Sequence, residues 1–131
     1  MARACPIARK HELHKVIVSL TAVFPFEIDV VIGPFAGYLC YVREKYRCED
    51  SDAEEPRGRC IQPHNAPPVI WLPKVPATPA EFGTLAHEAY HATVNFMEYT
   101  GIPMTRDTEE VAAHVVGTIV RTVLAEAKGK R

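Results

Sequence analysis

The stretch Thr78-Pro79-Ala80-Glu81-Phe82-Gly83-Thr84-Leu85-Ala86-His87-Glu88-Ala89-Tyr90-His91 decides how this chain is read. Thr78 and Glu81 form a capping-box pair, with Pro79 at the first helical position. Gly101 and Pro103 stop the run, so a helix is predicted from Pro79 to about Glu98. Phe82, Leu85, Ala89, Val94 and Phe96 recur as an apolar stripe, leaving His87, Glu88 and His91 towards another side. Histidines four apart lie one above the other on a helix, which lets both imidazoles reach one tetrahedral Zn²⁺. In the pattern His-Glu-x-x-His, the glutamate sits beside the open coordination position. Glu88 is therefore the candidate general base, taking a proton from metal-activated water and passing it to a leaving amine. The alternative is a helix whose histidines are ordinary surface groups.

A catalytic zinc site needs a third protein ligand, and the following segment offers Asp107, Glu109 or Glu110, and His114. Residues Asp107 to Lys128 read as a second long helix, with Val111, Val115, Ile119 and Val123 four apart on an apolar face. Glu110 and His114 are also four apart, and a short helix-turn-helix connection would fold them back over His87 and His91. Glu109 points about 100° away from Glu110, so the two cannot do the same job. The competing account makes Asp107-Thr108-Glu109-Glu110 a capping box, with Asp107 as N-cap. For an oxyanion stabiliser the candidates are Tyr99 and Arg121, while Tyr90 is expected to point away from the metal. Arginines such as Arg121 are more often snorkelling surface residues.

On these residues the chain resembles the zincin metallopeptidases, and more narrowly the gluzincin arrangement, in which a glutamate on a following helix completes the metal site. Glu110-Val111-Ala112-Ala113-His114 matches that group's Glu and small residue and departs from it at His114, where relatives carry Asp. The resemblance implies zinc held by His87, His91 and Glu110, with His114 either supporting a ligand or serving as the third one. The extended metzincin pattern is missing, since position 97 is Met97. Leu85 to Leu124 is also similar to small His-Glu-x-x-His proteins encoded by bacteriophages and prophages, which implies a minimal catalytic core and no particular substrate.

Composition bounds the rest. At 131 residues and 47% hydrophobic content the chain reads as one domain, 1–131, with enough core to fold unaided. A net charge of -1 gives no basic footprint for nucleic acid. Met1-Ala2-Arg3-Ala4-Cys5-Pro6 has no apolar signal region and no run approaches a membrane span, so a cytoplasmic location is expected. Cys5, Cys40, Cys48 and Cys60 form no Cys-x-x-Cys pair and are expected to be reduced. A second zinc site from Cys48, Cys60 and His64 fits no common spacing.

Before the motif, His14 to Ala22 is β-branched and reads as a strand, with a helix from Ile7 as the alternative. Glu27 to Ile32 reads as a second strand, and Phe35, Leu39, Val42 and Tyr46 recur with helical period. Residues 44–59 are charged and nearly devoid of apolar residues, the pattern of a mobile surface loop. Six of the 11 prolines fall between Pro63 and Pro79, where Val69-Ile70-Trp71-Leu72 makes a short strand. Flanking prolines suit an edge strand able to align an extended peptide; an ordinary core strand with Trp71 buried is the equal alternative.

The expectation is thus an α+β, minimal zincin-like domain: a small mixed sheet, a helix packed on it, and two C-terminal helices carrying the metal site. The expected activity is zinc-dependent hydrolysis of peptide bonds in a peptide or protein substrate. The rival is a binding or regulatory module whose zinc is structural or vestigial. Oligomeric state is left open.

Overall fold

In strand β1, His14–Ser19, Val16 and Val18 are buried while Lys15 and Ile17 are exposed, the alternation of a strand with one face on a core. Strand β2, Glu27–Ile32, loses that alternation because residues 28 to 32 are all buried, so both faces of the sheet are covered there. The computed structural model describes residues 13–20, 26–50 and 56–128. Within them four strands form one mixed sheet of order β1-β2-β4-β3, packed with three helices: an α+β architecture. The alternative helix from Ile7 lies largely outside the described residues.

β1 and β2 pair antiparallel, from His14 opposite Ile32 to Ser19 opposite Glu27. Helix α1, Phe35–Tyr46, follows directly after Pro34 and ends at Arg47 in the left-handed conformation, whose N–H reaches the Val42 carbonyl. β3, Arg59–Ile61, and β4, Val69–Leu72, complete the sheet. β4 runs parallel to β2, with Val30 opposite Ile70, and antiparallel to β3, with Cys60 opposite Ile70.

This order corrects the edge-strand reading of Val69–Leu72. All four residues are buried and both of its edges are paired; the edge strands among the described residues are β1 and β3. Pro68 and Pro73 bracket the ladder without entering it, so every backbone N–H of β4 remains available. Trp71 is fully buried, and its indole N–H donates to the Gly33 carbonyl at 2.9 Å.

Each face of the sheet has its own core. On one, Val31, Val69 and Trp71 pack against Tyr38 and Val42 of α1. On the other, Val16, Val18, Ile28, Val30, Ile70 and Leu72 meet helices α2, Pro79–Thr100, and α3, Glu109–Lys128. The inward stripe of α2 is Leu85, Ala89, Ala92 and Phe96, at the three- and four-residue spacing of one helical face. Phe82, expected in that stripe, is 43% exposed. No helix among the described residues is long and apolar enough to cross a membrane.

The 44–59 stretch is tied down at both ends of residues 51–55, which lie outside the described part. Glu44 to Tyr46 finish α1. The Asp50 side chain is almost fully buried, accepts the Tyr38 hydroxyl at 2.8 Å, and takes both nitrogens of an Arg59 fork at 2.9 and 2.6 Å. Cys48 and Cys60 are free, whereas Cys40 is disulfide-bonded, correcting the expectation of four reduced thiols.

Candidate metal centre

Helix α2 begins where its sequence says it should. Thr78 Oγ1 accepts from the Glu81 N–H at 3.2 Å, and Glu81 Oε1 accepts from the Thr78 N–H at 3.0 Å, closing the capping box. Gly101 ends the helix at φ 78°, a left-handed conformation that costs glycine nothing. With Leu85, Ala89, Ala92 and Phe96 fixed inward, His87 and His91 are turned to the outer side and Glu88 to the flank beside β3.

The imidazoles converge. Nε2 of His87 lies 3.1 Å from Nε2 of His91, with the rings edge to face. Glu88 Oε1 is 3.8 Å from His87 Nε2, and all three candidate donor atoms fall within 4.8 Å of one another. Among the described residues this is the one group of three or more metal-ligating side chains so gathered. Both histidines are exposed, whereas Glu88 is only 6% exposed and its Oε2 is buried with no hydrogen-bond partner. Burial raises the Glu88 pKa above the ordinary carboxylate value, against the opposing pull of His87, His91 and Arg59.

What buries Glu88 is the approach to β3. Gly58 passes so close to α2 that a β-carbon there would sit 2.7 Å from Thr84 Cγ2 and 3.1 Å from Glu88 Cγ. A groove of about 440 Å³ runs between this strand entry and α2, lined by Gly58, Gly83, Thr84, His87 and Glu88 among others. Further along, Cys60 faces Asn95, whose amide lies 3.8 Å from Cys60 Sγ. Burial, and then the charge of Glu88, push the Cys60 thiol up to about 12, so it is no nucleophile.

Helix α3 does not bring its acids to this group. Ala112, Val115, Ile119 and Val123 are its buried face. Glu110, His114 and Arg121 fall about half a turn around the helix from that face and are exposed. Glu109 is exposed and lines a separate groove with Tyr90 and Met104 between α2 and α3. The physical reason is phase. The four-residue spacing of Glu110 and His114 gives them a common face, but the core-facing valines decide which way that face looks.

The capping-box rival also resolves differently. A 3₁₀ turn, Arg106–Thr108, precedes α3, and the Thr105 N–H donates to Thr108 Oγ1 at 2.9 Å. No hydrogen bond among the described residues joins Asp107 to Glu110. Of the oxyanion candidates, Tyr99 stacks edge-on against Phe26 at 5.5 Å, two turns past His91, and Arg121 is exposed on the outer face of α3; Tyr90, expected to point away, is 56% exposed on the far side of α2 from Glu88. Cys48, Cys60 and His64 do not gather into a ligand group.

Sequence reasoning missed the strand-entry residues Arg57, Gly58 and Arg59. Their one legible signal was a glycine set between two arginines just after an acidic run. Comparison with protein-family models, curated proteins and solved structures finds no match to this chain.

Proposed function

We propose that the protein is a zinc-dependent hydrolase of peptide bonds, with His87 and His91 holding the metal and Glu88 acting as general base and then acid. The observation that carries this reading is the buried, unpartnered Glu88 Oε2 beside two imidazole nitrogens 3.1 Å apart. A carboxylate oxygen kept from water without a partner is costly, and evolved sites keep such groups where chemistry uses them. The two imidazoles fit zinc, for which neutral histidine nitrogen is an ordinary ligand, and leave the third protein ligand of a catalytic site to be supplied. When bound, zinc lowers the pKa of water to about 7 and polarises a carbonyl.

Glu88 then has the properties its two tasks require. Its carboxylate stands beside His87 Nε2, where it would take a proton from the attacking water and return it to the leaving amine nitrogen. Gly58 holds it out of solvent, which strengthens its interactions with charge developing nearby. A peptide is favoured as substrate because β3, an edge strand three residues long, lies alongside α2 and, among the described residues, pairs with β4 on one side only. Its other edge can take an extended chain as an added strand.

One observation favours the second reading, a binding or regulatory module with a structural or vestigial zinc. The described residues gather two imidazoles and one carboxylate, and α3 adds none of its acids. The two readings separate in one experiment: zinc content and cleavage of a peptide library by wild type and Glu88→Gln. The hydrolase reading expects zinc in both proteins and cleavage by wild type alone. Cleavage retained in Glu88→Gln, or none by zinc-loaded wild type, rejects it.

A further inference from the structure

A second groove, of about 390 Å³, opens beside the first along the N-terminal half of α2. The two grooves share Arg57, Ala80 and Thr84, so an extended chain crossing Glu88 has a neighbouring side chain over the second groove. Its wall is apolar, built from Leu72, Pro73 and Pro76. Its charges are unequal. Lys74 pairs with Glu81 Oε2 at 2.7 Å, and the other oxygen of Glu81 accepts the N–H groups of Ala77 and Thr78. That acid is fully engaged. Arg57 is exposed, and among the described residues no acceptor engages its guanidinium. Arg59, two residues on, is by contrast committed to Asp50. Among the described residues the groove therefore carries one uncompensated positive charge, at Arg57, over an apolar floor.

Resting on the proteolytic reading above, we infer that this groove is a specificity pocket for a substrate side chain bearing a carboxylate, with Arg57 as the residue that selects it. A glutamate lays its methylenes on the proline and leucine wall and presents its oxygens to the guanidinium fork, which suits a planar carboxylate. A lysine there meets the like charge of Arg57, with Lys74 already neutralised by Glu81. Because Arg57 is exposed, the preference is modest in size and weakened by salt. A free C-terminal carboxylate offers the same chemistry, so the test must separate the two sources.

The test uses zinc-loaded full-length protein and amidated fluorogenic peptides that differ only in having Glu, Gln or Lys beside a central bond. A Gln peptide with a free C-terminus is the control. Cleavage is read as kcat/KM with wild type, and binding by fluorescence anisotropy on the Glu88→Gln protein. The Glu peptide should be bound and cleaved about fivefold better than the Gln peptide at low salt, with Lys worst and the order reversed in Arg57→Glu. Cleavage without charge preference overturns the inference, as does an Arg57→Glu protein that still favours Glu, or a free-acid Gln peptide that outperforms the amidated Glu peptide. Failure of every peptide to bind overturns it too. A binding preference without cleavage would leave the pocket standing and remove the hydrolase reading instead.

Discussion

Gly58 and Glu88 are in such close register that a single added carbon on the glycine would stand 3.1 Å from the glutamate Cγ. The backbone itself, not a side chain, is the roof over the carboxylate. Gly58→Ala should therefore destabilise the fold by about 1 to 3 kcal/mol through overpacking. Thr84 Cγ2 is the nearer obstacle, at 2.7 Å. Adding Thr84→Ser removes that methyl while keeping a hydroxyl for the Ala80 carbonyl, so the double variant should recover part of the loss in urea unfolding. No recovery would mean that the strand entry, not the threonine methyl, sets the cost.

Glu88 also makes a signed prediction for pH. Burial raises its folded pKa above 4.5, so the folded state holds its proton longer than the unfolded chain does. Stability from this group falls as pH rises from about 4.5 through the folded value. Without metal, Glu88→Gln should be more stable than wild type at neutral pH, and the difference should vanish below pH 4.5. Denaturant midpoints measured with chelator across that range check it; a gap that widens towards acid contradicts the burial account.

Metal should stabilise the folded chain through His91 and not through Glu110. At a hundredfold excess over Kd, zinc bound to the native state alone adds about 2.7 kcal/mol. Thermal shifts should show this gain in wild type and in Glu110→Ala, and lose it in His91→Ala. Loss in Glu110→Ala would return α3 to the ligand set.

The opposite face of the sheet carries a separate prediction. Burial would raise the Asp29 carboxyl, but Lys45, Tyr41 and Tyr46, all donating to Oδ2, win and hold it below the usual carboxylate range. Its contribution is present above about pH 3.8 and is lost as pH falls through the folded value. Lys45 is 42% exposed, so solvent screening limits the effect: Asp29→Asn should cost about 1 to 3 kcal/mol at neutral pH, measured by chemical unfolding.

Much of this was readable from residue order. Thr78 with Glu81, Gly101 and the Leu85-Ala89-Phe96 spacing set α2, and the placement of His87 and His91 on its outer side followed from it, whereas the burial of Glu88 under the β3 entry did not. β2 came from its β-branched run. β3 did not, because three residues with partly buried side chains show no alternation to detect. The central position of Val69–Leu72 was hidden as well, since prolines flank edge and inner strands alike when they stay outside the ladder. The direction of Glu110 is written in the same helix: Val115, Ile119 and Val123 point inward, which leaves Glu110 on the outer face whatever its spacing from His114.

The brevity of β3 has a consequence for solution behaviour. Arg59 at its start and Pro63 just beyond its end confine the unpaired ladder to three residues. An open sheet margin of that length can register one guest strand, yet charge and proline keep it from templating further copies. The same shortness that limits grip on a substrate thus makes this margin of the sheet a poor template for fibre-like self-association.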